Sequence, residues 1–254
     1  MKKIFKTALA VAAIAAVGLA QASIVTFDSV AAAPVTIDAL YAPLLGDGDQ
    51  LHQSGFYFAP LSNSASALPG DLVGTMVDGS DVANTCYNLS CPTNNSTTFF
   101  ASLNDGVAAI GTDSGNAFRL RSIDASFVGN DAATFPATTL LLRLQGVKLG
   151  GGTLTQTFQL PGTSGGSFKF ATYTANSTFA DTQFTQLFFF GLACNASSSC
   201  SAFNSNTAQF ALDNINVTEV PEPAAWAVSG LGLLLAAGVT RRRRAPTTAA
   251  SAAV

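Results

Sequence analysis

Between Ser23 and Glu219 the apolar residues keep no helical period. They gather in short runs rich in Phe, Thr, Val and Leu, separated by clusters of Gly, Asn, Asp and Ser. That is the pattern of strands and turns. "SIVTFDSV" reads as a first strand and "SGFYFAP" as another, and "AFRLRSIDASFVG" alternates over a long stretch. "TTLLLRLQGVKL" and "GTLTQTFQL" follow around a turn at Gly150-Gly151-Gly152. "SFKFATYT", "FTQLFFFGL" and "QFALDNINVTEV" complete the series. "SNSASALPGD" and "CYNLSCPTNNSTT" read as exposed loops. Strands at this spacing predict an all-β fold. A body of about 200 residues without internal repeat suits a single jelly-roll-like β-sandwich, and the nineteen phenylalanines supply its two inward faces.

The two ends follow another pattern. Lys2, Lys3 and Lys6 precede an apolar run from Ala8 to Ala20, which closes on Ala20-Gln21-Ala22. Charged head, short apolar body and small-residue exit predict a Sec signal peptide over 1–22. The run falls short of the ~20 residues that a spanning helix needs. Near the other end, Ala224–Thr240 is apolar, with Trp226 at its outer end and Arg241, Arg242, Arg243 and Arg244 at its inner end. Those anchors would leave the body outside and the arginines in the cytoplasm. Composition alone allows a permanent single-pass helix there.

Val220-Pro221-Glu222-Pro223, the Gly- and Leu-rich apolar segment and the arginine cluster together resemble the PEP-CTERM sorting domain of Gram-negative bacteria. The resemblance implies that 220–244 is a sorting signal read by an exosortase, an integral-membrane cysteine-type transpeptidase or protease. It also implies transient insertion of the apolar helix in the inner membrane, then release to the cell surface or extracellular matrix. Such proteins come from bacteria that make exopolysaccharide and biofilm. Here "APTTAASAAV" (245–254) continues beyond the arginines as an expected disordered tail, where the family usually stops. Just upstream, Gln209-Phe210-Ala211-Leu212-Asp213 resembles the QFxxD subgroup, whose β-rich bodies have no assigned activity.

Setting the ends aside changes the charge. Three of the twelve basic residues lie in the leader and four in the arginine run, and one of fifteen acids, Glu222, lies in the tail motif. The remaining body, 23–219, is near −9, which opposes nucleic-acid binding and leaves cations and neutral glycans as partners. All four cysteines, Cys86, Cys91, Cys194 and Cys200, fall in the body. An even number in an exported chain predicts disulfides. Three pairings are possible, and the local one closes two small loops. Zinc is disfavoured, since the spacings are not CxxC and His52 is the one histidine.

Catalytic chemistry finds few residues to use. His52 has no G-x-S-x-G elbow to serve, and a loop or edge position is expected for it. Glu219 and Glu222 are the only glutamates, so a glycoside hydrolase would need two aspartates, and nothing in the sequence singles out such a pair. Calcium is the better candidate. Asp47-Gly48-Asp49 lacks a third ligand because position 51 is leucine, and Asp78 and Asp81 around Gly79 are similarly incomplete. Asp28 in the first strand and Asp213 in the last would approach each other if those strands pair, holding a structural Ca²⁺. The bland alternative is that both cap turns through hydrogen bonds. Sugar recognition uses stacking aromatics, and the body has no tryptophan. Of its four tyrosines, Tyr87 in the Cys86–Cys91 loop is expected to be exposed, and Tyr57 and Tyr173 to pack within strands.

The reading that results is a non-enzymatic exported surface or matrix protein, sorted by exosortase, with exopolysaccharide as its partner. A calcium-dependent carbohydrate-binding module is the alternative, and an aspartate-based glycan hydrolase the third.

Overall fold

The computed structural model describes residues 22–28, 36–37, 43–86, 89–129, 140–195, 197, 199–203 and 207–220. In chain order the strands begin with β1 (Ala22–Val25), β2 (Thr36–Ile37), β3 (Pro43–Gly46), β4 (Leu51–Gln53) and β5 (Phe56–Leu61). Next come β6 (Leu72–Asp78), β7 (Thr98–Ser102), β8 (Val107–Thr112), β9 (Phe118–Val128) and β10 (Leu140–Lys148). The series ends with β11 (Thr153–Leu160), β12 (Ala171–Thr174), β13 (Phe184–Cys194), β14 (Cys200–Ala202) and β15 (Gln209–Glu219). Among the described residues two one-turn helices, α1 (Val82–Thr85) and α2 (Ser177–Asp181), sit in connections.

Every strand pairing is antiparallel, and the sheet curls into two facing layers. Layer A runs β2-β3-β6-β7-β15-β9-β12, with β1 joining β15 beyond the end of β7. Layer B runs β11-β10-β13-β8-β5-β4, with β14 on β13. Among the described residues a single pair, Phe118 opposite Phe184, bridges them. The chain crosses between layers at β5–β6, β7–β8 and most later steps, which fits the jelly-roll-like expectation.

Side-chain alternation explains the closure. On β10 the even residues Leu140, Leu142 and Leu144 are buried while Leu141, Arg143 and Gln145 stay partly exposed. Between the layers the rings meet edge to face: Phe58 of β5 lies 4.8 Å from Phe100 of β7, and Phe56 lies 5.7 Å from Phe118. Such contacts add about 0.5–1.5 kcal/mol each beyond the area they bury. Gly146 is required where β10 passes β13, since a Cβ there would fall 2.2 Å from the Phe184 ring. At the β11 and β12 edges, Tyr173 closes the sandwich by packing 5.0 Å from Phe158 and donating its hydroxyl to the Gln159 carbonyl.

The outer faces of the two layers differ. Layer A is covered: Phe99, Val128, Ala211 and Val77 form a second small core beneath the Cys86–Cys91 loop, with Phe170 against Phe99 at 5.1 Å. Both disulfides are local, Cys86–Cys91 and Cys194–Cys200, and mark an oxidising compartment.

Three expectations change. "SFKFATYT" becomes strand only from Ala171, because Phe168 turns into the main core. Asp28 is not in the first strand, which stops at Val25; it lies in the following turn, after Phe27 adopts a left-handed φ of 61°. The phenylalanines serve more than two inward faces, as Phe99 and Phe170 show. Of the leader and the sorting segment only Ala22 and Val220 are described; residues 1–21 and 221–254 lie outside the described residues. No helix among the described residues is long and apolar enough to cross a membrane.

Candidate functional site

The outer face of layer B carries a band of aromatic and hydrogen-bonding side chains. It is built by register. Tyr57 on β5 stands opposite His52 on β4 and Gly111 on β8. Neighbouring Phe56 and Phe58 point into the core, so Tyr57 must point out. Its ring lies across Gly111, where a Cβ would sit 2.5 Å from the phenol oxygen. Gln186 of β13 reaches that oxygen from the other side, Nε2 donating at 3.5 Å.

One step along, Phe188 stands between Ala109 of β8 and Gln145 of β10, and then Phe190 stands opposite Arg143. Leu187 and Phe189 are buried, so Phe188 and Phe190 take the outer face and remain partly exposed. Phe203, just past β14, stacks on Phe190 with centroids 5.6 Å apart and planes 30° apart. It is 44% exposed and holds a left-handed φ of 57°. A bulky residue in that region is a backbone outlier, and such outliers cluster at ligand sites. Tyr57, Phe188, Phe190 and Phe203 thus line a strip flanked by His52, Gln186, Gln145 and Arg143.

A second polar cluster lies on the outer face of layer A. Asp213 of β15 stands directly opposite Asp124 of β9. The Asp213 carboxylate is fully buried: Oδ2 accepts from Asn95 Nδ2 at 2.7 Å and Thr97 Oγ1 at 3.2 Å, and Oδ1 from the Asn214 amide at 2.7 Å. Burial pushes its pKa up to about 6 against these donors, and the nearby Asp28 charge adds to the rise. Asp28 itself accepts from the Thr98 amide at 2.9 Å. Each of the two aspartates expected to share a cation is thus engaged by N–H or O–H donors. No group of three His, Cys, Asp or Glu that would hold a metal occurs among the described residues. Because Asp213 has no surface to present, it is not placed to protonate a substrate.

The other expected residues serve structure. Asp49 accepts from the Gly46 amide and Asp47 from the Ser62 amide, bracing a turn. Asp78 caps the turn at Gly79–Asp81 through Ser80, which holds its carboxyl below the usual range. His52 lies on an edge strand, Nδ1 2.7 Å from Asp113 Oδ1, with no nucleophile described beside it. Tyr87 and the sorting residues Pro221, Glu222, Pro223 and Arg241–Arg244 lie outside the described residues. Tyr57, expected to pack within its strand, instead faces outward. The sequence conceals the aromatic strip, because "FTQLFFFGL" does not reveal which of its phenylalanines face the core.

No family model and no curated protein matches the sequence. Among solved structures the chain is similar to the enzymatically active domain of bacteriophage CBA120 tailspike protein 4. That similarity has 13% identity and a TM-score of 0.29, over 66% of this chain and 20% of that one. It is also similar to the Clostridium thermocellum endo-1,4-β-D-xylanase 10B CBM22-1–GH10 modules complexed with xylohexaose. There the identity is 12% and the TM-score 0.31, over 65% of this chain and 26% of that one. A third, TmCBM61 in complex with β-1,4-galactotriose, shares 7% identity at a TM-score of 0.29, covering 66% of this chain and 90% of that one. The chain thus spans between a fifth and about a quarter of the first two structures. Likenesses this faint show no function.

Proposed function

We propose that this chain is a non-enzymatic, exported glycan-binding β-sandwich, with the outer face of layer B as its binding face. The observation that carries the reading is the strip of Tyr57, Phe188, Phe190 and Phe203 left partly exposed on an otherwise well-packed sheet. Aromatic faces stack on the C–H faces of sugar rings, and amide, guanidinium and imidazole groups at the margin bond the hydroxyls. Gln145, Gln186, Arg143 and His52 supply those groups. A strip that crosses several strands suits a polymer better than a single sugar.

Export and surface placement rest on the leader and on the PEP-CTERM-like tail, which would make the chain an exosortase substrate and its partner an exopolysaccharide. The paired disulfides agree with an oxidising destination. A calcium-dependent version would rest on Asp28 and Asp213; since both already accept hydrogen bonds, and both lie on the other layer, the proposal is calcium-independent binding. Against a hydrolase stands Asp213, whose carboxyl has a raised pKa but is sealed from solvent.

The test is a pull-down of the exported protein on the host's own exopolysaccharide, with calcium and with EDTA. Equal, saturable binding in both buffers that is lost in Tyr57→Ala and Phe190→Ala is expected. No binding, or binding indifferent to both substitutions, sinks the reading.

A further inference from the structure

On the opposite face, beside the covered part of layer A, the 94–96 loop and the start of β12 enclose an open cleft of about 320 Å³. We infer that this cleft is a second saccharide site, selective for a single neutral sugar residue with adjacent hydroxyls. It goes beyond the polymer strip of layer B and shares no residue with it.

The local backbone creates the cleft. Between Asp213 and Asn216 the β15–β9 register shifts, so that Asn214 and Ile215 together face Ile123. Asn214 sits there with a left-handed φ of 47°. A bulge of this kind re-aims a side chain out of the ladder, and it delivers the Asn214 amide to the cleft, where Nδ2 donates to Asp124 Oδ2 at 2.8 Å. Thr172 of β12 donates to the other Asp124 oxygen at 2.6 Å. Asn94 is locked by a reciprocal pair with the Phe170 backbone, 2.7 Å and 3.1 Å. The wall is therefore held in place before any ligand arrives.

The lining chemistry narrows the ligand. Among the described residues no cationic side chain lines the cleft, and Asp124 would repel a phosphate or carboxylate. Its oxygens already accept from neutral donors, and among the described residues no group of three His, Cys, Asp or Glu occurs, which disfavours a metal. The lining is mainly amide, hydroxyl and carboxylate, so an apolar ligand would strand polar groups. What remains to be satisfied is mixed: among the described residues the Ser96 hydroxyl and Asn214 Oδ1 have no partner, and the Asp124 oxygens keep further lone pairs. Donors and acceptors gathered in one cleft match neighbouring hydroxyls, each of which both donates and accepts. The volume lies at the lower end of the roughly 300–1,000 Å³ in which small ligands are held.

The test is a heteronuclear NMR titration of the full exported protein with the methyl glycosides of glucose, galactose and mannose. Saturable shifts in the Ser96, Thr172 and Asn214 amides with at least one of them are expected. Asn214→Gly keeps a residue suited to positive φ but removes the amide, and should abolish the shifts at Ser96 and Thr172 while leaving the rest of the spectrum folded. Asp124→Asn is the second variant and should weaken them at least tenfold. Absence of shifts at those amides with all three sugars overturns the inference, as do shifts that persist in Asn214→Gly. Shifts confined to Phe188 and Phe190 also overturn it, while leaving the layer B reading intact.

Discussion

Asp213 and Asp124 face each other across one rung of the β15–β9 ladder, yet one carboxylate is sealed and the other is open. The difference comes from the 95–97 loop, whose Asn95 and Thr97 side chains close over Asp213 and leave Asp124 to the cleft.

Stability should accordingly depend on pH. With a folded pKa of about 6 against an ordinary 3.8, the folded state holds its proton longer than the unfolded chain does. Protonation therefore favours the fold. Asp213 contributes a destabilisation that is absent below about pH 4, grows as pH rises toward 6, and levels off above, on the order of 2–3 kcal/mol. Urea unfolding at about pH 4 and about pH 7 should show the loss. Asp213→Asn should flatten this part of the profile.

Two phenylalanines of the same size should behave oppositely. Phe100 is fully buried among Phe27, Phe58 and Phe210, so Phe100→Ala should cost about 3–5 kcal/mol. Phe190 is partly exposed, and Phe190→Ala should cost about 1 kcal/mol while removing glycan binding. Thermal denaturation alongside a binding assay separates the two. Equal losses of stability would place Phe190 in a core role.

Gly111→Ala tests the strip without altering any of its side chains. The added methyl would meet the Tyr57 ring and hydroxyl at 2.5–2.6 Å, a side chain free to swing outward. Stability should change by less than about 1 kcal/mol. Affinity for the exopolysaccharide should fall about tenfold, equivalent to 1.4 kcal/mol. Isothermal titration reads this directly.

The Cys86–Cys91 disulfide pins the cover of layer A. Replacing both by serine should cost about 2 kcal/mol from the freed loop, plus the loss of two buried sulfur contacts with the small core around Phe99. Hydrogen exchange should then rise first at 82–91, ahead of the main sandwich. Uniform exchange across both layers would show that the cover folds with the body as one unit.

Much of this fold was legible because its long strands alternate. β9, β10 and β15 announce themselves through residues such as Leu120, Leu142 and Val217, which face one common core. β7 did not, since Phe99 and Phe100 are both buried, one under the disulfide loop and one between the layers, which erases the alternation. The local disulfides could be anticipated from spacing as one of three options, whereas the place of Asp28 could not, because β1 stops at Val25 and Asp28 falls in the turn beyond it. The aromatic strip could not. Whether Phe188 or Phe189 faces out depends on the register with Ala109 and Gln145, which no local pattern encodes. The cleft depends on a one-residue bulge at Asn214, visible only once β9 lies beside β15.

Ala22 pairs with Thr218 in an antiparallel ladder, so the start of β1 and the end of β15 lie at the same pole of the sandwich. Tension drawn from that end runs down β15, which is bonded to β9 along one edge and to β7 and β1 along the other. Antiparallel bonds lie across the strand axis, so the pull meets them together in shear instead of peeling them singly. Forced unfolding tracks the unfolding rate, not the equilibrium stability. A load applied at that pole would be carried by a strand gripped from both sides.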